Sequence, residues 1–178
     1  MPVTGCVRHG GAEPKGPPSV ASPDTGRAVT LSRQLADAHQ QLRHRLAQLR
    51  ANLHDEPAPT LGTHCLAFCS ALTTHHRGED AGLFTELLAE RPDLTGTVAK
   101  LVEDHTMIAA ILARVAELAG SATSPTADPT RIGRELDGLT AILESHFAYE
   151  ERALRTALDA GVPDTGCSGR VLHFDDAG

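Results

Sequence analysis

The sequence predicts an all-α protein: an antiparallel up-down four-helix bundle with a flexible N-terminal arm and a flexible C-terminal tail. Three observations carry that prediction. Leu and Ala, both strong helix formers, dominate the 178-residue chain. Apolar residues recur at alternating spacings of three and four over four long stretches, the period of one helix face. Pro and Gly separate those stretches by short connections, which favour antiparallel neighbours. No strand alternation stands out.

Residues 1–28 hold Gly10-Gly11, Pro14, Pro17-Pro18 and Pro23, the composition of an arm rather than a core element. The bundle is expected over 29–161. Its first helix, about 30–53, carries Leu35, His39, Leu42, Leu46, Leu49 and Leu53 on one seam, and Pro57 and Pro59 follow it. The second, about 60–90, starts at Thr60 as N-cap and runs through Leu61, Cys65, Phe68, Leu72, His75, Glu79, Leu83 and Leu87 to Pro92. Gly78 and Gly82 weaken it and mark a local irregularity. The third, about 94–119, carries Val98, Leu101, His105, Ile108, Leu112 and Val115 before Gly120 and Pro125. The fourth, about 129–160, carries Ile132, Leu136, Leu139, Leu143, His146, Glu150, Leu154 and Ala157 before Gly161 and Pro163. Residues 162–178 form the tail, in which Val171, Leu172 and Phe174 could dock on the bundle.

Bulk composition narrows the function classes. A net charge of −7 without a basic run argues against nucleic acid as partner. Trp is absent, Tyr occurs once and Phe four times, so stacking on bases or sugars is not the main business. No apolar run reaches the ~18 residues of a membrane span, and the N-terminus lacks the order of a signal peptide. A cytoplasmic protein with four reduced thiols, Cys6, Cys65, Cys69 and Cys167, is expected.

The informative residues are polar ones on the seams. Each helix places a histidine there (His39, His75, His105 and His146), and two are followed four residues later by Glu79 and Glu150. A core does not accept this many ionisable groups without a shared partner. Each histidine lies roughly 16–24 Å from the loop it shares with the next helix, at ~1.5 Å rise per residue. An antiparallel bundle therefore gathers all six side chains in one layer at mid-height. Positions i and i+4 stack on one helix face, and a carboxylate can give one oxygen to each of two ions. Metal is the economical partner, and six ligands suit two ions better than one.

The ordered set resembles the hemerythrin-like, or HHE cation-binding, family. It comprises Ala38-His39-Gln40-Gln41-Leu42-Arg43, Thr74-His75-His76-Arg77-Gly78-Glu79-Asp80-Ala81-Gly82-Leu83-Phe84, Glu103-Asp104-His105-Thr106-Met107-Ile108 and Ser145-His146-Phe147-Ala148-Tyr149-Glu150-Glu151. Each stretch alone is weak; their order is specific. The resemblance covers roughly residues 30–160. It implies a hemerythrin-like bundle around two Fe ions, oxo- or hydroxo-bridged, with His39, His75, His105 and His146 as terminal ligands and Glu79 and Glu150 as bridges. Oxygen-carrying hemerythrins have five histidines, two of them four apart on the third helix; here the position four after His105 is Ala109. Those carriers also use an aspartate five residues after the fourth-helix histidine, where this chain has Glu150 at the shorter spacing.

One ion is thereby short of a nitrogen, and His76 is the leading substitute, with Tyr149 a weaker one. His44 and His64 fall off the site. Asp80, Asp104 and Glu151 adjoin ligands in sequence and are expected on solvated faces. Cys65 and Cys69 read as buried small residues, with a thiol metal or redox site the sharper alternative. Cys6 with His9, and Cys167 with His173, are candidates for extra metal binding in the ends. The resemblance implies a non-haem diiron protein reacting with peroxide or dioxygen, first as a catalase-like enzyme turning over H2O2. An O2 or NO carrier or sensor, an iron-responsive module and an O2-activating oxidase are the rivals. The small ligand is O2, H2O2 or NO in every case but the iron-responsive one.

Overall fold

The computed structural model describes residues 25–120 and 129–160. Helix α1 spans Thr25–Ala51, α2 Ala58–Gly78, α3 Phe84–Glu90, α4 Thr95–Gly120 and α5 Pro129–Asp159. Between α2 and α3 the chain stays helical through a π-turn, Glu79–Leu83, so α2, the turn and α3 form one rod. A 3-10 turn, Pro92–Leu94, leads into α4. The result is the all-α four-helix bundle that the periodicity predicts. α1 packs against α2 and α5, and α4 packs against the same two, which closes a ring of four rods. Among the described residues no helix is long and apolar enough to cross a membrane. The expected arm and tail, including the paired Cys and His at each end, lie outside the described residues apart from the first turn of α1.

Local chemistry explains the boundaries. After α1, the Asp55 and Glu56 amides donate back to the Asn52 carbonyl at 3.1 and 3.2 Å, and Pro57 then opens α2. Proline suits a helix start because its missing N–H has no acceptor there. Thr60 is not the cap: its amide donates to the Pro57 carbonyl at 2.9 Å, inside the first turn. Thr95 Oγ1 donates to the Pro92 carbonyl at 2.7 Å and pins the α3–α4 corner.

The irregularity marked by Gly78 and Gly82 is the π-turn. The Phe84 amide donates to the Glu79 carbonyl, one residue further back than in an α-helix. The extra residue rotates the rod, so that Glu79, Gly82, Leu83 and Phe84 are all buried. Such π-turns recur at functional sites, and this one begins on a predicted site residue.

The core is split. One apolar cluster runs from Leu42 on α1 through Leu61, Phe68 and Leu72 on α2, Ile108 and Leu112 on α4, to Leu136 and Leu143 on α5. A smaller one at the other end joins Leu31, Leu35, Phe84, Leu87, Val98, Leu101 and Leu154. A polar layer separates them.

Candidate metal centre

That layer holds His39, His75, His76, Glu79, His105, His146 and Glu150, each 5% exposed or less, and they are the buried polar side chains among the described residues. All six predicted site residues meet there, and His76 joins them. The matched distances of the histidines from their loops have this consequence.

Glu79 sits between two groups of nitrogens. Its Oε1 lies 3.0 Å from His75 Nε2 and 3.8 Å from His39 Nε2. Its Oε2 lies 3.6 Å from His105 Nε2. Glu150 Oε2 likewise stands 3.4 Å from His39 Nε2 and 3.6 Å from His146 Nε2. His105 Nε2 and His146 Nε2 are 3.2 Å apart. Donor atoms lie within 4.8 Å of one another in three sets: His39, His75 and Glu79; His76, His105 and His146; and Glu79, His105 and Glu150. Donors at ~2.0–2.2 Å from a shared ion stand about 3–3.5 Å from each other, close to the spacing seen here.

Helix neighbours reach across to the next rod. Glu151 Oε1 accepts from His39 Nδ1 at 2.9 Å, and Asp80 Oδ1 from His105 Nδ1 at 2.8 Å. Asp104 Oδ2 stands 3.6 Å from His146 Nδ1. The expectation of solvated faces for these three acids is therefore wrong. Each points away from the seam of its own helix, as expected, but lands on the histidine of another. A second pattern accompanies this one. The residue after each paired histidine stacks on the neighbour's ring: His76 on His105 at 4.0 Å and 8°, Phe147 on His39 at 4.0 Å and 14°.

Protonation supports a cation-binding reading. The His39 hydrogen bond and Arg43 hold Glu151 below the usual carboxylate range, so it is ionised and only accepts. His39 then donates to it through Nδ1, and its Nε2 stands between the Glu79 and Glu150 carboxylates. Burial drives His76 well below the ordinary imidazole range, and His146 down to about 4. Both are neutral near pH 7, the form that binds metal. Burial also pushes both glutamates up. The His75 and His39 rings nevertheless pull Glu79 well below its usual value, while Glu150, near Glu79, Glu151 and Asp80, is left well above it. His39 Nε2, His76 Nε2 and both Glu150 oxygens make no hydrogen bond. Each such buried orphan costs ~1–3 kcal/mol. Cations at the centre of the layer would satisfy all four.

Other candidates fall elsewhere. Tyr149 packs beside the smaller cluster with Lys100 Nζ 5.8 Å and Arg152 Cζ 5.7 Å from its ring centre. His64 is 52% exposed and pairs with Glu56 at 2.9 Å, and His44 is exposed. Cys65 and Cys69 are free thiols in the larger cluster, as their spacing predicts, and Cys69 Sγ faces the Leu112 carbonyl at 3.8 Å. Ala109 is exposed, so an imidazole there would miss the layer; of the positions four from His105, only Leu101 faces the core. Two cavities of about 150 and 210 Å³ open along the α1–α5 groove, one lined by Glu151 and the other by Arg43, and none of the seven buried residues lines either.

No curated protein and no solved structure matches the chain. The model of the hemerythrin HHE cation binding domain matches residues 30–158, and with its bundle and its layer of histidines and glutamates the chain belongs to that family.

Proposed function

We propose that the layer holds two iron ions and that the protein reacts with hydrogen peroxide or dioxygen there. His39 and His75 would hold one ion, and His76, His105 and His146 the other, with Glu79 and Glu150 shared between them. One observation carries this reading: Glu79 turns a different oxygen toward each group of nitrogens. A single ion would not need that division. Imidazole mixed with carboxylate suits non-haem iron, which supplies Lewis acidity and electron exchange with oxygen species.

The chain's own residues do the rest. Asp80 and Glu151 keep the ring nitrogens facing outward occupied, so the inner ones stay free for metal. Leu72, Leu101, Ile108 and Leu143, each 1% exposed or less, exclude bulk water on both sides of the layer. The His39–His75 side has two imidazoles against three opposite, so an ion held there would have fewer protein donors.

Catalase-like turnover is the first reading. It is tested by adding H2O2 to the iron-loaded protein and measuring O2: the expected result is release well above that of free iron at equal concentration. A second reading, reversible O2 carriage, is favoured by His76, which restores the five imidazoles that the resemblance associates with carriers. Absence of O2 release together with a stable, reversible O2 adduct would overturn the first reading in favour of the second.

A further inference from the structure

Asp80 and Glu151 occupy equivalent places. Each directly follows a central glutamate, Glu79 or Glu150. Each crosses to the helix that supplies a single histidine to the layer: Asp80 to His105 on α4, Glu151 to His39 on α1. Each is partly exposed, 35% and 22%, while the imidazole it holds is 4% or less. Each therefore reaches from the edge of the bundle to a buried ring. The two differ in one respect: Glu151 Oε1 also accepts from Arg43 Nη1 at 3.1 Å, and Arg43 Cζ lies 5.1 Å over the Phe147 ring that stacks on His39.

We propose that Asp80 and Glu151 are positioning residues of the metal centre, each fixing the tautomer and ring orientation of the lone histidine of a neighbouring helix. The inference rests on the two-ion reading above. A carboxylate that accepts from Nδ1–H locks the proton on that nitrogen, aims the Nε2 lone pair inward and raises the ring's basicity toward metal. The buried glutamate and the outer acid are thus one device: the first reaches the ions, and the second prepares the imidazole opposite. Arg43 shares the charge of Glu151.

The test is ferrous iron titration of wild type, Asp80→Asn and Glu151→Gln, with the optical spectrum of the loaded protein. Each amide keeps the shape and loses the charge. Iron affinity is expected to fall ~10–100-fold, with a shifted absorption band, while circular dichroism of the metal-free protein matches wild type. Glu144→Gln is the control: Glu144 Oε2 accepts from Arg43 Nε at 3.1 Å without touching an imidazole, and its loss is expected to leave affinity unchanged. A wild type that takes up no iron overturns the two-ion reading itself. A wild type with two irons and amide variants of equal affinity and spectrum overturns the positioning role alone. A measurement that needs no variant is the nitrogen-15 spectrum of the imidazoles in metal-free wild type. Nδ1–H tautomers at His39 and His105 support the proposal, and Nε2–H at both overturns it.

Discussion

The two halves of the centre repeat one pattern and differ in the ring that stacks. In the first, His76, Glu79 and Asp80 come from the α2 rod and meet His105 of α4. In the second, Phe147, Glu150 and Glu151 come from α5 and meet His39 of α1. In both, the residue after the paired histidine stacks on the lone imidazole at 4.0 Å, and the residue after the glutamate bonds its outer nitrogen. The stacking residue is an imidazole in one half and a phenyl in the other. Packing needs only a flat ring at this position. A ring that also carries a nitrogen adds a donor to the layer without changing the fold. The difference teaches that the asymmetry of the centre, three nitrogens against two, resides in the His76–Phe147 pair.

Exchanging these rings gives the largest expected effect. Phe147→His makes both halves three-nitrogen sites, and is expected to abolish the spectral response of the iron-loaded protein to azide, a small anion that needs a free position. His76→Phe makes both halves two-nitrogen sites; iron affinity is expected to drop by more than the ~10–100-fold typical of losing an outer partner, as read by titration. An undiminished azide response in Phe147→His would break the comparison. A smaller change probes whether the layer depends on the ends of the bundle. Leu136 is fully buried in the larger cluster, about 15 Å along α5 from His146. Leu136→Ala is expected to cost ~2–5 kcal/mol in denaturant unfolding while the iron count stays at the wild-type value. The smallest effect concerns the thiols. Burial pushes Cys65 up to about 11 and Cys69 up to about 12. A raised thiol pKa means less thiolate, on the order of a thousandth or less at pH 8. Alkylation of Cys65 and Cys69 in the folded protein at that pH is expected to be far slower than after unfolding, and to leave the iron spectrum unchanged.

Much of this was legible in the sequence because it depends on period alone. Leu35, Leu42 and Leu46 define the α1 face on which His39 lies, and the same arithmetic places His75, His105 and His146 at one height. The glutamates followed from the four-residue spacing. What escaped depends on which rod stands next to which. Against their own helices, Asp80, Asp104 and Glu151 point away from the seam; only the packing of α4 beside the α2 rod and beside α5, and of α1 beside α5, turns that direction onto another histidine. A signal was present in the acidic doublets Glu79-Asp80 and Glu150-Glu151. The imidazole absent at position 109 of α4, which the structure exposes, has its substitute in His76 of α2, which the sequence does offer. The glycines announced an irregularity, but the π-turn that buries Phe84 beside His105, 5.7 Å ring to ring, is a tertiary solution that periodicity does not specify.

Elemental analysis of the purified protein, with metals counted per chain, tests the central claim most directly. Two halves that share Glu79 and Glu150 predict two iron ions per chain, lost together when the protein is chelated. One zinc per chain and no iron would contradict the account.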